Sequence, residues 1–214
     1  MNELKCNLST EEEFDSFKEK AKIEGLYNSF IPMPKVLENT RSPHLDPDAF
    51  IAQVNSSQGT NFLTLEGILL AGDERNASVA KGLIQNLKAF EETGYYEWKK
   101  WCENNWGVKW DASHVKVISD PDFCFIIFEF DSPWDSPNNF VLELSKMYPN
   151  AEFELITGSI ESDFHYEYRF INGKIEYIVS YDTFKEAVEN GNWGGMKEWA
   201  DIFEDADEEE DDEE

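Results

Sequence analysis

An α+β fold ending in an acidic disordered tail is the class this sequence predicts, and three observations predict it. Before residue 95 apolar residues recur at helical period, as in Phe14, Phe17 and Ala21 and again in Val79, Ala80, Leu83, Ile84, Leu87 and Phe90. From His114 the period changes to two, as in Val115 and Val117 and then Ile126, Phe128 and Phe130. Residues 204 to 214 hold ten acids in eleven positions, a composition that cannot offset its own ordering entropy.

Each element has a local cause. Residues 3 to 8 suit a first strand. Ser9 offers an N-cap with Glu12 at capping-box distance, Glu11 to Glu13 load the first turn with negative charge, and Gly25 is expected to stop the helix. Pro32, Pro34, Pro43 and Pro47 predict a loop, and Asp46-Pro47-Asp48 starts a short helix through Phe50, Ile51 and Val54. Residues 55 to 61 read as a mobile loop, and residues 62 to 70 fit strand and helix equally. The helix over 77 to 92 stops at Thr93-Gly94, so 26 to 94 reads as a mostly helical insertion. Asp120-Pro121-Asp122 joins two strands, a helix spans 138 to 147, and a strand covers 151 to 157. Asn172-Gly173 is the favoured two-residue hairpin turn between strands 164 to 171 and 174 to 181. A short helix capped by Asp182 and an amphipathic piece over 193 to 203 complete a single domain, 1 to 200, ahead of the tail at 201 to 214.

Residues 95 to 111, YYEWKKWCENNWGVKWD, concentrate Tyr95, Tyr96, Trp98, Trp101, Trp106 and Trp110. Trp98, Trp101 and Cys102 share one helical face, which makes the stretch a core anchor. A second reading makes Tyr95, Trp98, Trp106 and Trp110 a stacking platform for a planar ligand, rimmed by Asn104, Asn105 and Lys109.

The 45 acids and 18 bases leave a net charge of -27, and residues 1 to 200 alone remain at -16. Such a field repels nucleic-acid phosphate and anionic membrane and attracts basic proteins. Cys6, Cys102 and Cys124 are odd in number and unpaired in spacing, so reduced thiols in a cytoplasmic protein are expected, and the opening MNELKCNLST predicts no signal peptide. His44, His114 and His165 share no metal-ligand spacing with the cysteines. Asp120, Asp122, Asp131 and Asp135 lack the loop pattern of a calcium site, and no catalytic constellation or phosphate loop stands out. No enzyme, cofactor or metal is therefore expected.

Ile31-Pro32-Met33-Pro34, the box Asn105-Trp106-Gly107-Val108-Lys109-Trp110-Asp111, the run 128 to 131 followed by Ser132-Pro133-Trp134, and Tyr148-Pro149 ahead of a strand resemble the YubB-type ferredoxin-like domain family of phages and conjugative plasmids. The likeness covers roughly residues 1 to 38 and 95 to 180. It implies a β-α-β-β-α-β core, an antiparallel sheet backed by helices, and a mobile-element origin, with no catalytic residues to carry over. Charge and this setting together predict an acidic accessory protein, a DNA mimic in a host cell's cytoplasm. Its partner would be a basic, nucleic-acid-binding defence component such as a restriction or CRISPR protein. The candidate contact acids are Glu11, Glu12, Glu13, Asp15, Glu91, Glu92, Glu97, Glu103, Asp131 and Asp135. The alternative is a small-ligand, nucleotide-like binder on the aromatic platform.

Overall fold

Segments of period two build the strands, and segments of helical period build the helices. The structure, a computed structural model, describes residues 1–159 and 164–191. The amphipathic piece expected over 193 to 203 and the tail expected over 201 to 214 lie outside the described residues. In chain order the elements are β1 (Asn2–Asn7), α1 (Glu11–Lys20), α2 (Leu26–Phe30), α3 (Pro47–Gln58), α4 (Leu65–Ala71), α5 (Glu74–Thr93), α6 (Trp98–Asn105), β2 (Ser113–Asp120), β3 (Phe125–Asp131), α7 (Asn138–Met147), β4 (Glu152–Ser159), β5 (Phe164–Ile171), β6 (Lys174–Ser180) and α8 (Phe184–Asn190). Two units divide the chain, Pro32–Asn104 and the segments on either side of it.

In the sheet unit the strands lie in the order β2-β3-β1-β4-β5-β6, every neighbouring pair antiparallel. The register sets Leu4 opposite Phe128 and Leu155, and Cys6 opposite Ile126 and Phe153, so one face is mainly apolar, and the polar pair it buries at the Asn2 end satisfies itself, Thr157 Oγ1 donating to Asn2 Oδ1 (2.8 Å). The helices cover that face. Phe17 of α1 meets Phe128 and Phe153 with centroids 6.2 and 6.1 Å away, and Tyr27 of α2 meets Phe130 and Phe140 at 5.8 and 4.6 Å. The other face is a charge ladder, in which Glu3 pairs with Lys5 (3.2 Å), Glu129 with Lys116 (3.6 Å) and Glu152 with Arg169 (2.6 Å). Toward β5 that ladder gives way to a small cluster of Ile156, Ala187, Tyr181 and Phe184. Burial, followed by the neighbouring Glu167 charge, pushes the Tyr181 phenol up to about 12. His165 is buried with its ring 5.4 Å from that of Phe184.

In the helical unit α3, α4 and α5 share a core of Phe50, Val54, Leu65, Ile68, Ala80 and Leu83. The buried Asn86 of α5 ties down the loop ahead of α3, accepting from Arg41 N (2.7 Å) and donating to Arg41 O (2.9 Å).

Several expected boundaries move, each for a physical reason. The first helix is capped by Thr10, whose hydroxyl accepts from Glu13 N, while the Glu13 carboxylate reaches back past the cap to accept from Ser9 N; the cap thus falls one residue later than the expected Ser9 and Glu12. Helix α1 ends at Lys20, and Gly25, at φ +79°, starts α2 instead of ending α1. Residues 55 to 61 are not a loop throughout. Helix α3 continues to Gln58 and stops on the left-handed Gly59, and the Asn55 side chain then holds Phe62 N at 2.7 Å. The ambiguous stretch 62 to 70 contains a helix because Thr64 caps it. Thr183, not Asp182, caps α8.

Candidate functional site

Glycine at position 107 lets two loops of the sheet unit touch. At φ +88° a side chain there would be strained, and a Cβ would stand 3.2 to 3.3 Å from Ser136 O, Asn138 N and Asn139 N. Phe140 N then donates to Trp106 O (3.2 Å), and the Trp106 indole N–H donates to Ile31 O (3.0 Å). Trp106 and Val108 are driven into the core, where Trp106 packs on Tyr27 with centroids 5.8 Å apart. Asp111 fixes the far end of the same loop: its carboxylate accepts from Tyr27 N (2.7 Å), Asn28 N (2.9 Å) and Ala112 N (2.8 Å). Burial raises the Asp111 carboxyl above its ordinary value, opposed by those hydrogen bonds. Between these anchors Trp110 is left facing solvent, 45% exposed.

The second loop, 132 to 137, is knitted by its own polar groups. Asn2 Nδ2 donates to Ser132 Oγ (2.9 Å), Ser132 Oγ donates to Asp135 O (2.5 Å), Asp135 N to Pro133 O (2.9 Å), and Ser136 N to Asp135 Oδ1 (2.7 Å). At its apex Trp134 adopts φ +63° and is 76% exposed. A bulky residue held there costs on the order of 1–3 kcal/mol of local strain, and such strain concentrates at functional sites.

The two indoles meet with centroids 6.0 Å apart at 54°. Lys109 Nζ sits 4.6 Å from the Trp110 ring centre and 4.7 Å from that of Trp134. Two electron-rich faces thus hold one ammonium, the geometry by which aromatic groups recognise cations. Nearby in the chain, the Asp131 carboxylate lies 3.0 Å from His114 Nδ1, positioned to accept its N–H, and Asp135 serves its own loop.

The ten candidate acids do not form one patch. Glu11, Glu12, Glu13 and Asp15 open α1, which begins at the Asn7 end of β1, whereas Asp131 closes β3 opposite the Asn2 end. Glu91, Glu92, Glu97 and Glu103 belong to the helical unit, where two of them meet lysines. Glu92 pairs with Lys88 (3.9 Å), Glu103 with Lys99 and Lys100 (3.5 and 3.8 Å), and Glu97 accepts from His44 N (2.7 Å). The aromatic platform is likewise divided. Trp106 is interior at 3% exposure, because its ring completes the Tyr27 cluster. Trp110 pairs with Trp134, which the platform did not include. Tyr95 and Trp98 lie in the helical unit, where Trp98 N bonds Thr40 Oγ1 (2.9 Å) and Tyr95 borders a cavity of about 300 Å³ with His44, Tyr96, Lys100 and Asn104. Asp120 and Asp122 lie at the opposite end of the sheet from Asp131, and among the described residues no cluster suited to a metal ion forms. A tryptophan between two prolines, in DSPWDSP, was the available signal for Trp134.

No family model matches the sequence, and no curated protein matches it. Among solved structures the chain is similar to the crystal structure of protein api92 from Yersinia pseudotuberculosis, of the DUF1281 family, with a TM-score of 0.38 and 13% identity over 63% of this chain. The match spans about half, 53%, of that protein's length.

Proposed function

We propose that this protein acts by binding, and that Trp110 and Trp134 form a cage for a cationic side chain of a basic partner. The single observation that carries the proposal is the solvent-facing indole pair, which already holds the ammonium of Lys109. An arginine or lysine from the partner would replace Lys109 between the rings, a contact worth about 0.5 to 2 kcal/mol as it desolvates. The acid excess of the same unit supplies steering, since residues 32 to 104 hold 10 acids and 7 bases, leaving 35 and 11 to the rest of the chain. The partner class we propose is a nucleic-acid-binding host defence protein, a restriction or CRISPR component, occupied in place of DNA. This rests on charge and on the phage and plasmid resemblance. We likewise propose a ferredoxin-like core and kinship with the YubB-type family. The order β2-β3-β1-β4, with α1 after β1 and α7 after β3, supports the ferredoxin-like core, and the kinship rests on the sequence motifs alone. The nucleotide-like alternative on Tyr95, Trp98, Trp106 and Trp110 has less support, because Trp106 offers no free face.

The test is affinity capture from host lysate at low salt, with full-length protein beside a Trp134→Ala variant. Recovery of a nucleic-acid-binding protein is expected, displaced by added duplex DNA and weakened about 30-fold by the substitution, the scale of an interface hot spot. Equal recovery with Trp134→Ala, or a complex indifferent to DNA, would remove the proposal.

A further inference from the structure

Arginines are scarce here, three against 45 acids, yet two of them open onto one cavity, and neither has an ion pair among the described residues. The cavity, about 410 Å³, lies in the helical unit between α3 and the start of α5. Its volume falls within the roughly 300–1,000 Å³ of small-molecule sites. Phe50, Val54 and Val79 give it an apolar wall continuous with the helical core, and Gln53, Ser57 and Asn76 add hydrogen-bonding groups. Arg41 and Arg75 supply the charge. Among the described residues the ion pairs of this unit are Lys88 with Glu92 and Lys99 and Lys100 with Glu103, so neither guanidinium is neutralised. Asp73, the one carboxylate at the cavity, is already engaged: it accepts from Asn76 N and Asn76 Nδ2 (2.9 Å each) and from Gln58 Nε2. The Asn76 backbone bond leads the causes that hold its pKa below the ordinary carboxylate value. It therefore stays an anion committed to capping α5.

Arg41 is also placed in advance. The buried Asn86 clamps its backbone on both sides, and its stem lies on Gly82 of α5, where a Cβ would come within 3.2 Å of Arg41 Cβ. A guanidinium whose backbone and stem are fixed loses little freedom when it binds, and its planar fork matches phosphate oxygens. We infer that this cavity binds a small organic phosphate, its phosphoryl group held by Arg41 and Arg75 and its apolar body against Phe50 and Val79. This is separate from the partner site on the sheet unit and stands if that site fails.

The probe is adenosine monophosphate, titrated calorimetrically into the full chain, with adenosine and inorganic phosphate as the other arms. Binding with a Kd below about 1 mM is expected for the monophosphate, and binding at least about tenfold weaker for each of the other two, which carry only half of the recognition. Arg41→Ala and Arg75→Ala should each weaken the monophosphate about tenfold or more. Both side chains are exposed, so the fold should persist, and Arg41→Lys and Arg75→Lys, which keep charge but lose the fork, should fall between. A monophosphate that does not bind, adenosine binding as tightly as the phosphate ester, or unchanged affinity in both alanine variants would overturn the inference.

Discussion

The sheet unit and the helical unit carry their charge differently. Residues 32 to 104 approach balance, with 10 acids and 7 bases, and two of their acids, Glu92 and Glu103, meet lysines one helical turn away. The rest of the chain, even without the 11 acids of residues 201 to 214, has 24 acids against 11 bases. Several of its bases are consumed on the sheet's charged face, where Lys5, Lys116 and Arg169 each meet a glutamate. Net charge alone would spread a partner surface over both units. The placement of pairs instead leaves an unneutralised field in the sheet unit, which also presents two outward indoles.

That contrast can be broken most forcefully at Gly107. Gly107→Ala forces a Cβ against the backbone of residues 136 to 139 at a positive φ, and urea denaturation should show a loss of about 2 to 4 kcal/mol. A comparable substitution at Gly59, which has open space around it, should cost only the left-handed strain, about 1 kcal/mol. Equal losses at the two sites would mean that the two loops do not abut as described.

Alkaline pH should also act through the sheet unit. Tyr181 ionises in the unfolded chain near its ordinary 10.0 but in the folded chain at about 12, so its contribution is full below pH 10 and is lost as pH rises toward 12. Stability measured across that window should fall, and fall less steeply in Tyr181→Phe. An unchanged slope would assign the fall to other groups.

Smaller effects sharpen the reading of the cage. Lys109→Gln removes the internal occupant, and a basic partner should then bind about two- to fivefold more tightly, the equivalent of an exposed cation–π contact. Weaker binding would mean that Lys109 itself touches the partner. The least effect is expected from Glu103→Gln in the helical unit, at most about 0.5 kcal/mol in thermal or urea unfolding, as for exposed helical pairs, and none on partner capture.

Much of the sheet was legible in the sequence because its signals are local. Asn172-Gly173 turns where a hairpin turn of that type should, and residues 138 to 147 form the expected helix between Pro137 and Pro149. The misreadings share one cause, that a local signal can serve two neighbours. Gly25 suits the end of one helix and the start of another, and Ser9 and Thr10 offer the same hydroxyl chemistry one residue apart. The site was the least legible part. Trp106 and Trp110 look alike in sequence, and only the contact of Gly107 with residues 136 to 139 decides that one is core and the other surface. Trp134 reads as a turn residue until its partner, 24 positions earlier, is known to be 6.0 Å away.

The most direct measurement is hydrogen exchange on the captured complex against the free protein, read peptide by peptide. Protection confined to residues 106 to 112 and 132 to 137, lost in the Trp134→Ala variant, is what the cage predicts. Protection centred instead on residues 32 to 104, with both indole loops exchanging as they do in the free protein, would contradict it.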